Sequence, residues 1–155
     1  MNYTTREIEA TMNVLVAVDL DPGSDKVLGF AAMLANETGG EVHAVHVISK
    51  LEKEDRGQTP GQSQYIDVML EETKRGLEKS LRDLGVAQSS ITAIALTGEP
   101  VDEIQRVATE DGVDVLVIGM RRRSRVGKFL LGSDLQELLL ASDRPIVVVP
   151  MGAFD

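Results

Sequence analysis

The chain has no cysteine, which excludes disulfides, thiolate zinc sites and cysteine nucleophiles. No run approaches the roughly 18 consecutive apolar residues of a membrane-spanning helix, and the opening stretch MNYTTREIEATM lacks the apolar centre of a signal peptide. The expectation is a soluble protein in a reducing, cytoplasmic setting, with no membrane partner. Positive charge is scarce too: 16 basic residues stand against 25 acidic ones, a formal net charge of −9. Five of the basic residues, Arg121, Arg122, Arg123, Arg125 and Lys128, sit in one short segment and leave 11 against 25 elsewhere. An acidic field of this kind repels nucleic acid over most of the surface, so no nucleic-acid partner is expected, and a single compact basic patch suits a small anionic ligand.

What is present is the material of one α/β domain. With 155 residues and 43% hydrophobic content, the chain can bury roughly 70% of its unfolded surface in a single core; that core is expected over residues 13 to 150, with 1 to 12 and 151 to 155 as tails. Five apolar runs rich in β-branched residues read as strands: VLVAV at 14 to 18, EVHAVHVI at 41 to 48, ITAIAL at 91 to 96, VDVLVI at 113 to 118 and PIVVV at 145 to 149. The first, fourth and fifth are nearly continuous, as strands covered on both faces of a parallel sheet are.

Helical spacing fills the gaps. Ser24 is placed to cap a helix with Val27, Leu28, Ala31, Leu34 and Ala35 on its apolar face, ending at Gly39 and Gly40. Residues 64 to 84 carry Ile66, Leu70, Thr73, Leu77, Leu81 and Leu84 on one face. A third helix opens at Pro100 and buries Val101, Ile104, Val107 and Ala108. The last begins at Ser133, whose spacing to Gln136 makes a capping box, and buries Leu135, Leu138 and Leu139. Alternation of this kind predicts right-handed crossovers and an open parallel sheet with helices on both faces. Ligands of such sheets bind beyond the carboxyl ends of the strands, where the winding reverses. The polar segment 49 to 62 is either a loop over that end or a solvated linker.

Two stretches can carry chemistry. From Val113 to Gln136 a strand ends in glycine, crosses a cationic loop and re-enters a helix through Ser133, an arrangement that offers free N–H groups and a helix dipole to an anion. The loop arginines add forked donors for phosphate. The other stretch follows the first strand, where Asp19 can bond ribose hydroxyls or help hold a metal on a phosphate, or can cap the turn into the next helix. Gly127 and Lys128 do not make a P-loop, because Arg122 and Phe129 occupy the positions of its first glycine and its hydroxyl residue. The stretch after Asp19 lacks the glycines of a dinucleotide fingerprint. His43 and His46, three apart in a strand, face opposite ways and read as packing or hydrogen-bonding residues.

The order of these elements, with LVAVD near the start, HAVHVI, GEPVDEI, VDVLVIG, and FLLGS followed by RPIVVVP, resembles the universal stress protein family. The resemblance implies a Rossmann-like fold of the adenine nucleotide alpha hydrolase type, with a five-stranded parallel sheet of order 3-2-1-4-5 and its switch point between the first and fourth strands. It implies a regulatory module for ATP or another adenine nucleotide, with weak ATP hydrolysis at most, and with Asp19 as the residue to position any Mg²⁺ on the phosphates. Asp19 matches the residue that contacts the nucleoside, Val47 the residue whose backbone meets adenine, and Ala17, at the end of the first strand, is a candidate for the same site. Gly119, Gly132 and Ser133 match the phosphate motif, and Arg121, Arg123 and Lys128 are candidate helpers. Arg122 stands where ATP-binding members carry a second glycine. Either it supplies charge in place of a backbone cradle, or it blocks the cradle and leaves a dimeric interaction protein without nucleotide. A homodimer through the last strand, Pro145 to Val149, is a further implication of the resemblance, and it would cover an apolar sheet edge.

Overall fold

A computed structural model of the chain describes residues 11 to 20, 23 to 49, 62 to 121 and 133 to 151. Five strands, β1 (Val14–Ala17), β2 (Val42–Ile48), β3 (Ile91–Thr97), β4 (Val115–Arg121) and β5 (Ile146–Met151), alternate with four helices, α1 (Ser24–Thr38), α2 (Gln62–Asp83), α3 (Pro100–Asp111) and α4 (Ser133–Ala141). The strands form one sheet of order β3-β2-β1-β4-β5, and every neighbouring pair is parallel. The order expected from the family resemblance is therefore the observed one.

Alternation along the strands divides the core in two. Val14, Val16, Val42, Ala44, Val115 and Val117 pack beneath α1 and α2, against Val27, Ala31, Ala35, Leu77 and Leu81. Leu15, Val45, Leu116 and Ile118 point the other way, against Val101, Ile104 and Val107 of α3 and Leu135 and Leu138 of α4. Each valine, leucine or isoleucine among them, fully buried, contributes about 1.5 to 3 kcal/mol relative to exposure. The continuous apolar runs exist because both faces of β1 and β4 are covered.

Several local expectations need correction. Ser24 does not cap α1: Gly23 holds the N-cap position with φ 100 and no side-chain cap bond, and the Ser24 hydroxyl turns toward the preceding loop. Leu139 is exposed, as is Leu140, because only the i and i+3 positions Leu135 and Leu138 of this short helix reach the sheet. Leu84 is exposed as well; it lies beyond the last turn of α2, where the chain leaves the helical stripe. β4 does not stop at Gly119 but runs on to Arg121, paired with β5 as far as Met151. Met151 is buried, so the core reaches one residue past the boundary drawn from sequence. The segment 50 to 61, Asp21 and the side chain of Ser133, on which the capping box with Gln136 rests, lie outside the described residues.

The amino end of the sheet is tied tightly. Asn13 N–H donates to the Asp114 carboxylate at 2.8 Å, and Asp114 N–H donates back to the Asn13 carbonyl at 2.8 Å. The Asn13 side-chain carbonyl accepts from Glu41 N–H at 3.0 Å. Gly39, at φ 72, closes α1, and Gly40 then passes so close to residue 12 that a Cβ there would lie 1.9 Å from the Met12 carbonyl oxygen. His43 is buried, with Nδ1 2.9 Å from Asp111 and Nε2 3.1 Å from Glu41, so it joins β2 to the end of α3.

Candidate functional site

Among the described residues the carboxyl end of the sheet is open. A cavity of about 420 Å³ lies beyond β1, β2 and β4 and beside the first turns of α1, α3 and α4. It sits where the chain has wound from β1 toward β2 and β3 on one side and toward β4 and β5 on the other, the switch point at which open α/β sheets bind ligands. Its size falls within the 300 to 1,000 Å³ typical of small-molecule sites.

Ala17, Asp19, Val47 and Gly119, picked out at distant points of the sequence, all line this one cavity. Ala17 closes β1, and Asp19 follows on the exposed rim. Leu20 takes φ 66, the left-handed region, which costs an L residue with a full side chain of order 1 kcal/mol. The chain thus turns sharply just after Asp19. The Asp19 carboxylate accepts a hydrogen bond from the Ser24 hydroxyl at 3.2 Å, which sets its orientation from the first residue of α1.

Gly119 is required for a reason the sequence did not disclose. A Cβ at this position would lie 2.8 Å from Val27 Cγ2 and 2.8 Å from Met151 Sδ. The branched valine has few rotamers with which to yield, so glycine here lets α1 and β5 close over β4. Arg121 ends β4, and Ser133 is the first residue of α4. Arg122, Arg123, Lys128 and Gly132 lie outside the described residues.

Other residues of the cavity were not anticipated. Ser24, His46, Ser49, Pro100 and Asp134 all line it. The strand period set His46 on the face opposite His43 but gave no sign of its partner, the Val18 carbonyl, 2.7 Å from Nδ1. Asp134, one residue beyond Ser133, had been read only as part of the last helix. Val27, Ile118, Leu135 and Leu138 are among its apolar walls. An apolar body with a few polar groups around it is the usual lining of a small-molecule site. Among the described residues no group of three or more His, Asp or Glu could hold a metal ion, and no helix is long and apolar enough to cross a membrane.

A doubly wound, fully parallel α/β sheet with a cleft at its switch point defines the class of Rossmann-like α/β proteins. Within that class the chain belongs to the universal stress protein family, whose model matches residues 11–150. Universal stress protein YxiE of Bacillus subtilis (strain 168) is 30% identical over 143 residues, covering 88% of this chain and 97% of YxiE. Universal stress protein MJ0577 of Methanocaldococcus jannaschii is 28% identical over 81 residues, 52% of this chain and 50% of MJ0577, so that match spans half of the relative. Over 92% of this chain and 98% of its own, the solved MJ0577 structure has the same fold, with a TM-score of 0.73 at 23% identity. The universal stress protein of Archaeoglobus fulgidus, solved in complex with dAMP, gives a TM-score of 0.62 at 26% identity, covering 91% of this chain and 98% of that one.

Proposed function

We propose that this universal stress protein is a regulatory module that binds an adenine nucleotide in the switch-point cavity, in a cytoplasmic setting. The observation that carries the reading is the convergence of Ala17, Asp19, Val47 and Gly119 on one cleft. The Archaeoglobus relative in complex with dAMP supports the choice of base.

Roles follow from position. Val18 N–H donates to the Val45 carbonyl at 3.0 Å, and strand periodicity turns the Val47 N–H and C=O the same way, past the end of β1 and toward the cavity. That donor and acceptor pair fits the edge of adenine. Asp19 would take the ribose hydroxyls. The phosphates would lie toward the carboxyl end of β4 and the start of α4, with Gly119, Gly132, Ser133 and the cations Arg121, Arg122, Arg123 and Lys128 as the groups assigned to them. Mg²⁺ would enter with the phosphates. No general base is assigned, and the module is read as a sensor, not a hydrolase.

Calorimetry with ATP, AMP and cyclic AMP tests the reading: heat of binding is expected with at least one, and none with any of them removes it. Arg122→Ala should weaken ATP binding if the arginine stands in for the motif glycine, whereas Glu52→Ala should leave it unchanged.

One observation favours a second reading, a homodimeric interaction protein. β5 is an edge strand, and the preceding helix exposes Leu139 and Leu140, so pairing of Pro145 to Val149 between copies would cover an apolar edge. Sedimentation at micromolar concentration should give a dimeric mass, and a monomeric one would count against that interface.

A further inference from the structure

The parallel ladder between β1 and β2 ends in an unusual way. Val18 is opposite His46 in the register that pairs Ala17 with Val45. In a continuing ladder the Val18 N–H donates to Val45 C=O and the Val18 carbonyl accepts from Val47 N–H. The first bond is present at 3.0 Å. The second position is taken by the His46 ring, whose Nδ1 lies 2.7 Å from the Val18 carbonyl oxygen.

A carbonyl only accepts, so the His46 Nδ1 carries the proton. The imidazole therefore stands in for the Val47 amide at the last rung, and β1 peels away from β2 at Ala17. Immediately beyond, Asp19 leans on Ser24 and Leu20 turns into the left-handed region. The cavity opens between the separated strand ends, with His46, Val47 and Asp19 all on its wall.

We propose that His46 is a positioning residue for the ligand: by holding the Val18 carbonyl it parts β1 from β2, leaves the Val47 backbone pair for the base, and fixes the turn that presents Asp19. This rests on the nucleotide reading above. His46 acts through the two backbone segments and not by contact with the nucleotide.

Two substitutions separate the bond from mere bulk. His46→Asn puts an amide N–H close to the position of Nδ1, and His46→Gln carries it out toward the position of Nε2. By calorimetry with AMP, His46→Asn should stay within about threefold of the wild-type affinity, and His46→Gln should lose about tenfold, the scale of one hydrogen bond. Ribose 5-phosphate, which has no base to reach Val47, should lose less in His46→Gln than AMP does. Long-range ¹H–¹⁵N correlation on the free wild-type protein should show the neutral ring protonated at Nδ1. Equal AMP affinity in the two variants, or a ring protonated only at Nε2, would overturn the positioning role. Wild-type protein that gives no heat with AMP or any other adenine nucleotide instead removes the nucleotide reading, a result the tautomer measurement does not share.

Discussion

The two ends of this sheet use the same kinds of residue for opposite purposes. At the amino end His43 is enclosed between Asp111 and Glu41, and Asn13, Glu41 and Asp114 bond one another across the strand starts. At the carboxyl end, three residues further along β2, His46 bonds a backbone carbonyl beside a cavity. One end closes gaps and the other keeps one open. A parallel sheet allows this division because all strands run the same way, so every strand start lies at one end and every ligand-facing loop at the other.

If the division holds, damage at the amino end should cost stability and spare binding. Gly40→Ala forces a Cβ onto the Met12 carbonyl, and a backbone neighbour cannot rotate out of the way. A loss of about 3 kcal/mol or more is expected in urea denaturation, with nucleotide affinity of the folded fraction unchanged. His43→Leu would leave Asp111 without its buried partner, for about 1 to 3 kcal/mol, again with unchanged affinity. A large change in affinity from either substitution would break the comparison.

Substitutions at the carboxyl end should do the reverse. Leu20→Gly removes the penalty of a left-handed leucine and should stabilise the fold by up to about 1 kcal/mol, while loosening the turn that carries Asp19 and so weakening AMP binding. Asp19 is exposed, and Asp19→Ala should change the unfolding free energy by less than about 0.5 kcal/mol in urea denaturation. The same change should lower AMP affinity about tenfold in calorimetry. Equal affinity for Asp19→Ala and wild type would separate the carboxylate from the ligand and sharpen the question of what the cavity holds.

Legibility in the sequence followed the range of the interaction. The glycine pair after α1 was readable, because a left-handed C-cap is a local requirement; the collision that makes Gly40 necessary was not, because Met12 lies far back in the chain. The cap of α1 was misread for the same reason. Ser24 is a good local capping residue, but its hydroxyl bonds Asp19 across the turn, and Gly23 holds the cap position. Leu139 was assigned to the core by a helical period that a helix as short as α4 does not extend far enough to bury. Asp19 and Gly119 were legible as candidates from their places after the first and fourth strands, and Val47 only through the family motif; that they meet followed from the strand order the resemblance implied and not from the residues themselves.

The strands, the helices and the two-sided apolar coverage of β1 and β4 were determined by the sequence alone, since hydrophobic period and β-branching act over a few residues. The region beyond the first and fourth strands could be named from the resemblance, and so could the residues to inspect. Only the tertiary structure decided that Gly119 is held by Val27 and Met151, that Ser24 orients Asp19, and that His46 takes the last rung of the β1–β2 ladder. Each of these depends on which atoms the sheet register and helix packing bring within a few ångströms. Side-chain period states the face a residue occupies, and not the neighbour it meets there.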